Sequence, residues 1–259
     1  MKEITDDGFK TEKCSVEIVL PVYNEEAILE SSVTALVSHL ELTATFGWYI
    51  TIADNASTDS TQARAQHLEQ RFRGSVFATH LPRKGRGFAL KEVWRRSSAD
   101  VVAYMDIDLS TNLTHIDSLV GPLLRREFHV ATGSRLMAGA RTTRSLKREI
   151  ISRTYNLLVW SFFPKRQFLD AQCGFKALTR EAADTLLPIV VDTSWFFDTE
   201  LLLRAEQMGY KVLETPVEWI EDLDSRVHIF GTAIEDVRGL IRVRRESLKT
   251  ALRRTRILE

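Results

Sequence analysis

Cysteine is scarce in this chain: two in 259 residues, Cys14 and Cys173, far apart and without the close spacing of metal ligands. That excludes a disulfide-stapled miniprotein and a cysteine-built metal site. Proline (6) and glycine (12) are too few for a collagen, and no Pro/Gly linker, internal repeat or low-complexity tract breaks the chain into domains. Net charge is absent, with 35 Lys+Arg against 35 Asp+Glu, so no bulk attraction to nucleic acid is expected. No apolar run approaches the ~18–20 residues that span a bilayer. The best candidate, Tyr155 to Phe163 (YNLLVWSFF), reaches about half of that length. No charged-then-apolar leader is read in the opening residues, and the expected compartment is the reducing cytosol.

What the chain does have is an ordinary globular composition, 44% hydrophobic and 27% charged. At this length one large α/β domain or two small ones can bury roughly three-quarters of the unfolded surface. The zero total hides a split. Residues 1–133 carry 14 basic and 18 acidic side chains, and residues 134–259 carry 21 and 17. Within the second half, 134–153 sums to +5, 181–237 to −10 and 238–259 to +6. Such blocks are either solvated faces or surfaces that meet phosphate.

Residues 1–13 are polar and aperiodic and read as a flexible arm. Ser15 to Leu20 (SVEIVL) reads as a strand stopped by Pro21. Asn24 is placed to cap a helix whose apolar positions Leu29, Val33, Leu36, Val37 and Leu40 follow helical spacing. Further strands are expected at Tyr49 to Ala53, Val76 to Thr79 and Val101 to Met105, and further helices at Thr61 to Phe72 and Phe88 to Ser97. Alternating strand and helix predict an α/β fold with a mainly parallel sheet. Ligands of such sheets bind beyond the carboxyl ends of the strands, where the polar loops DNASTD (Asp54 to Asp59), KGRG (Lys84 to Gly87) and DIDLS (Asp106 to Ser110) fall.

Asp106 and Asp108, two apart after an apolar strand, can project to one side and share a cation. Mg2+ or Mn2+ favours carboxylate oxygens and keeps positions open for phosphate; a capping or solvated loop is the plainer reading. Lys84 and Arg86, interleaved with Gly85 and Gly87, suit a diphosphate, glycine allowing close backbone approach, or form an ordinary glycine turn. Arg148 and Ser152 stand four apart, on one face if helical, and an arginine fork with a hydroxyl suits a phosphate ester. Cys173 reads as a small buried hydrophobe rather than a nucleophile.

Taken in order, VLPVYNEE (Val19 to Glu26), DNASTD, KGRGFAL, DIDLS, GSR (Gly133 to Arg135), DAQCGFKAL (Asp170 to Leu178) and WFFDTELL (Trp195 to Leu202) resemble the inverting family 2 glycosyltransferases of GT-A fold. The resemblance is closest to the polyprenyl-phosphate sugar synthases, in particular the dolichyl-phosphate β-glucosyltransferase branch, and covers about residues 15 to 225. It implies a GT-A catalytic region over 14–227; beyond it, residues 228–259 read from their own pattern as a basic amphipathic helical extension. It implies that Pro21, Tyr23, Glu25 and Asp54 hold the nucleoside and that Lys84 and Arg86 hold the diphosphate. Asp106 then contacts donor and metal, and Asp108 the metal. Asp170, Gln172 and Asp198 shape the sugar pocket, and Ser225 and Arg226 lie in a loop that closes on donor phosphates. Arg135, Arg148 and Ser152 hold the lipid phosphate. Ser110 stands where mannosyl relatives often carry a glutamine that helps hold the metal.

The implied reaction is transfer of a hexose, foremost glucose from UDP-glucose, to a polyprenyl or dolichyl phosphate. Such an acceptor is already anionic and attacks without a strong base, so alignment and metal-assisted departure of the nucleoside diphosphate do most of the work. The rivals are transfer of N-acetylhexosamine, galactose or mannose, a hydroxyl acceptor, which needs a carboxylate base, and a non-catalytic nucleotide-sugar or nucleic-acid binder. YNLLVWSFF is a core helix or a face dipping into headgroups. Ile234, Val237, Ile241, Leu248 and Leu252 form a helical stripe among arginines. That stripe packs on its own domain, makes a homodimer seam, or anchors the protein peripherally to the cytosolic face of a membrane, alone or with a small membrane partner.

Overall fold

The computed structural model describes residues 14–221 and 229–258. The expected arm and the pair Ser225 and Arg226 lie outside the described residues. Strand β1 (Ser15–Val22) sends Val16, Ile18, Leu20 and Val22 to one apolar core and Val19 to another, the two-residue alternation of a sheet buried on both faces. Pro21 does not stop it: Pro21 pairs in register with Ala53 of β2 (Gly47–Asp54). On the other side, pairing with β4 (Val101–Met105) ends at Val19, so the proline occupies a position with one open flank where no donor is missed.

β3 (Val76–His80) completes a parallel set, and the sheet continues through β7 (Phe175–Thr179), β5 (Val130–Ser134) and β8 (Val212–Pro216), in the order β3-β2-β1-β4-β7-β5-β8. Only β7 runs antiparallel to its neighbours β4 and β5, so the sheet is mainly parallel, as expected. Helices α1 (Leu29–Thr43), α2 (Thr61–Arg71) and α4 (Ile116–Leu124) cover one face. The other is covered by α3 (Arg86–Arg96), α5 (Leu146–Phe162), α6 (Arg180–Leu186), α7 (Phe197–Gln207) and α8 (Ile229–Leu258). A short parallel pair, β6 (Arg141–Thr143) with β9 (Glu218–Ile220), lies beside the main sheet in the topology. Each fully buried Leu, Val or Phe in these cores contributes on the order of 1.5–3 kcal/mol.

One local expectation is corrected. Asn24 caps no helix: it sits in the left-handed region (φ 55°) and accepts from the Thr58 amide at 2.8 Å, tying the loop after β1 to the loop after β2. On α8, of the three readings of the stripe, packing on its own domain is the one not followed; Leu252 lies outside the residues whose side chains are described. Leu240 and Val243 enter the core, whereas Ile234 and Leu248 remain 59% and 50% exposed. The reason is Gly239, where a Cβ would lie 2.4 Å from the Phe196 ring; the helix closes on α7 through that glycine. Arg242 then clamps the fully buried Glu200 with two 2.9 Å hydrogen bonds.

Candidate active site

The loops after β1, β2 and β4 each contain a non-glycine residue at positive φ: Asn24, Ala56 and Leu109. Such conformations cost of order 1 kcal/mol or more each and gather where geometry serves a site. All three lie at the carboxyl end of the sheet, and most of the candidate residues are there.

At the β1–β2 end, Asp54 is 1% exposed. One oxygen accepts from the Ser57 amide at 3.0 Å and the other meets His80 Nδ1 at 2.8 Å. His80, the last residue of β3, carried no signal in the sequence because it is an isolated histidine at a strand end. Lys84 stands 3.4 Å over the Tyr23 ring, so the two residues expected at nucleoside and diphosphate are in contact. Pro21, near the end of β1, and Glu25, in the loop that follows, are half-buried. The glycines of KGRG serve packing: a Cβ on Gly85 would meet the Thr193 carbonyl at 2.6 Å, and one on Gly87 the Phe197 side chain at 2.6 Å. They seat the first turn of α3 against α7, which aims Arg86 into the cleft.

Arg86 lies 2.9 Å from Asp106 Oδ1, donates to the Tyr104 hydroxyl at 3.2 Å and lies 3.7 Å from Asp198. Asp198 also receives the fully buried Lys176 ammonium at 3.1 Å and the Tyr104 hydroxyl. Two cations and two carboxylates thus form one network; Tyr104 was hidden in a strand that reads as apolar, and Lys176 lies in the DAQCGFKAL motif with no role assigned to it. Gly174 makes room for it, since a Cβ there would lie 1.9 Å from Asp106 Oδ2. The Asp106 side chain keeps 40% of its surface in the cleft mouth. The surrounding protein nevertheless strips enough water to push its pKa up to about 6, with Asp108 and Asp198 adding to the rise and Arg86 and Arg135 opposing it.

Asp108 is exposed and accepts from the Ser110 amide at 2.9 Å. Among the described residues no group of three or more His, Cys, Asp or Glu gathers as a metal cluster. The Ser110 hydroxyl, however, is buried without a hydrogen-bond partner among the described residues. Two carboxylates with an orphaned hydroxyl beside them fit a divalent ion completed by phosphate oxygens from a ligand.

Toward the other end, Arg135 grips Asp170 with two side-chain hydrogen bonds, 2.8 and 3.0 Å, and a third from its own amide at 3.0 Å. Burial acts to raise the pKa of Asp170, but Arg135 overrides it and holds the carboxyl down at about 2. Gln172, half-buried, donates its amide to Asp170 at 3.2 Å. Asp170 therefore positions Arg135, and its oxygens are not open to sugar hydroxyls as the resemblance implied; Asp198 is similarly engaged. Arg148 and Ser152 share α5 as expected. Arg148 is held by Glu221 at 2.7 Å, and the Ser152 hydroxyl is buried without a partner among the described residues. One turn further, Asn156 accepts from the Ala171 amide at 3.0 Å, which joins α5 to the loop carrying Asp170 and hence to Arg135. Burial pushes the Cys173 thiol up to about 12, which rules out a thiolate nucleophile near neutral pH.

The family model "Glycosyl transferase family 2" matches residues 17–187. Glycosyltransferase AglD of Haloferax volcanii is 35% identical over 226 residues, 87% of this chain and 35% of that protein, so the chain spans about a third of that relative's length. A dolichyl-phosphate beta-glucosyltransferase of Mus musculus is 28% identical over 251 residues, 92% of this chain and 77% of that protein. Among solved structures, glucosyl-3-phosphoglycerate synthase from Mycobacterium tuberculosis, in complex with Mn2+, UDP-glucose and phosphoglyceric acid, superposes with a TM-score of 0.68. It is 22% identical and covers 89% of this chain and 79% of that one. At that identity the likeness shows the fold, which is GT-A.

Proposed function

Since the chain belongs to glycosyl transferase family 2, we propose that it transfers glucose from UDP-glucose, with inversion, to a polyprenyl or dolichyl phosphate at the cytosolic face of a membrane. One observation carries the choice of acceptor. The two carboxylates that a hydroxyl acceptor would need as base, Asp170 and Asp198, are both committed to cations. Such a site favours an acceptor that arrives already ionised. Arg135 and Arg148 spend only part of their five guanidinium donors on Asp170 and Glu221, and the remaining donors, with the Ser152 hydroxyl, are what the site offers that anion. The relatives named as dolichyl-phosphate beta-glucosyltransferases support the same acceptor.

In this reading Tyr23 and Asp54 seat the nucleoside, and Lys84 and Arg86 meet the diphosphate. Asp106, Asp108 and the Ser110 hydroxyl hold Mg2+ or Mn2+, which when bound screens the departing diphosphate. Arg135 and Arg148 align the lipid phosphate behind C1. A phosphate oxygen bonds to C1 as the C1–O bond to the diphosphate breaks, leaving UDP and a β-linked lipid phosphosugar from an α-linked donor. No general base is required, and alignment supplies much of the rate.

The purified protein with UDP-glucose, Mn2+ and a polyprenyl phosphate in detergent is expected to yield lipid-linked glucose, while simple sugars and alcohols yield none. Transfer to a hydroxyl but not to the lipid phosphate would reverse the acceptor assignment. Arg148→Ala is expected to raise the KM for lipid phosphate about tenfold or more with the KM for UDP-glucose unchanged.

A further inference from the structure

The apolar face of the sheet covered by α3 is interrupted far from the carboxyl-end cleft. Near the amino ends of β1 and β2 a cavity of about 250 Å³ opens between the sheet and the C-terminal half of α3, lined by Glu17, Tyr49, Thr51, Phe77, Ser97 and Glu92 among others. Its floor is polar where the alternation of β1 calls for an apolar side chain. Glu17 is 3% exposed. Its Oε1 accepts from the Thr51 hydroxyl at 2.5 Å, and its Oε2 is buried with no hydrogen-bond partner. The Tyr49 and Ser97 hydroxyls lie 3.2 Å from each other, and the Tyr49 and Phe77 rings meet edge to face at 5.7 Å. At the mouth, Glu92 is already paired with Arg96 at 3.3 Å. Glu17 is only partly answered: the Thr51, Tyr49 and Ser97 hydroxyls and the charge of Arg180 act on its carboxyl group, but among the described residues no cation pairs with it directly and Oε2 is left over.

We propose that this cavity is a binding site for a protonated primary amine on a short carbon chain. An ammonium has three donors and no acceptor. Glu17 Oε2 takes one, and the Tyr49 and Ser97 hydroxyl oxygens, which turn freely between donor and acceptor, take the others. The rings of Tyr49 and Phe77 provide a wall for the methylenes and a negative face for the charge. Burial raises the carboxyl pKa of Glu17 in the free protein, and the Ser97, Thr51 and Tyr49 hydroxyls and Arg180 only temper that rise; a bound ammonium supplies the missing counter-charge. The site stands apart from the proposed transferase chemistry, although α3 spans both, with Arg86 at one end and Glu92 and Arg96 at the other.

The test is an amide NMR titration of the 15N-labelled full chain with propylammonium chloride, and in parallel with 1-propanol and with glycerol. Saturable shifts at Tyr49, Thr51, Phe77 and Ser97 are expected with propylammonium, with affinity for 1-propanol about tenfold weaker or less. Glu17→Gln, which keeps the Thr51 hydrogen bond, should remove the preference for the cation. Should that variant fail to fold, Phe77→Ala, on the half-exposed edge strand, is expected to weaken propylammonium several-fold through loss of the wall. No saturable shift, equal affinity for the alcohol, or tighter binding of glycerol would each overturn the assignment, the last in favour of a polyol pocket.

Discussion

Asp106 gives its Oδ1 to Arg86 at 2.9 Å, and a divalent ion bound as proposed by Asp106 and Asp108 would compete for the same carboxylate. In the proposed reaction Arg86 leaves Asp106 for the diphosphate as the ion arrives, so nucleotide and metal should bind together better than either alone. Replacing Arg86 with Gln separates the two roles: Mn2+ affinity without nucleotide, read by EPR, is expected to rise several-fold, while UDP affinity, read by calorimetry, falls about tenfold. The pH dependence has a definite sign. Asp106 must be ionised to hold the ion, so Mn2+ binding in the presence of UDP should weaken as pH falls through about 6, a midpoint that moves upward in Arg86→Gln because the lowering cation is gone. The same raised value means that the folded state holds this proton between 3.8 and about 6 while the unfolded chain has lost it. Its contribution to stability therefore declines as pH rises across that window. The D-x-D pair and KGRG were legible because polar residues crowd a loop after an apolar run. Lys176, Tyr104 and His80 were not, since a polar tip buried among strand residues looks like any strand residue until its partner from another element is known.

The reading of the elements went well where one periodicity governed the burial. β4 begins and ends as read, and α2 and β3 differ from their expected spans by a single residue at one end. It failed where a contact between elements decides. Pro21 stays in β1 because only one flank is paired beyond Val19, and α8 turns Gly239 toward α7 because the Phe196 ring, just before α7, leaves no room for a side chain there. That rotation buries Asp236, 3% exposed, one of whose oxygens lacks a partner among the described residues. Burial, with Asp192 and Glu235 nearby, pushes its pKa up to about 7. The native state thus keeps a proton that the unfolded chain releases above its ordinary carboxylate pKa, and the stability of α8 docking is lost as pH climbs from about 4 to about 7. Asp236→Asn, a mimic of the protonated acid, is expected to leave Tm unchanged at pH 4 and to raise it by about 3 °C or more at pH 8, measured by calorimetry. An equal shift at both values would place the effect in packing rather than in the proton.

At the scale of the whole molecule the charge blocks take on different meanings. Much of the +5 block over 134–153 is answered within the structure: Arg135 by Asp170, Arg141 by Glu218, Arg144 and Arg153 by Glu149, and Arg148 by Glu221. That block therefore does not present the free positive field that its sum promised, and the proposed attachment to a lipid surface draws on apolar contact as well. α5 has the pattern for it. Leu146, Ile150, Leu157 and Trp160 recur at helical spacing and are 81%, 64%, 63% and 52% exposed, while Arg148 and Ser152 lie on the better-covered side of the same helix. On α8, Ile234, Ile241 and Leu248 are likewise exposed, with Arg238 and Arg245 beside them. No helix among the described residues is long and apolar enough to cross a membrane; these two faces are the ones proposed to rest on a lipid surface. Because an aromatic and aliphatic stripe binds through area and each unpaired basic residue adds only about 1 kcal/mol near anionic lipid, the two contributions separate by experiment. In co-sedimentation with phosphatidylcholine vesicles containing phosphatidylserine, high salt is expected to weaken binding only in part, whereas the pair Leu157→Glu and Trp160→Glu should abolish most of it. The doubly substituted protein should keep its UDP affinity and lose turnover on vesicle-embedded acceptor while retaining turnover on a short-chain prenyl phosphate in detergent. Undiminished sedimentation of that variant would move the attachment surface off α5.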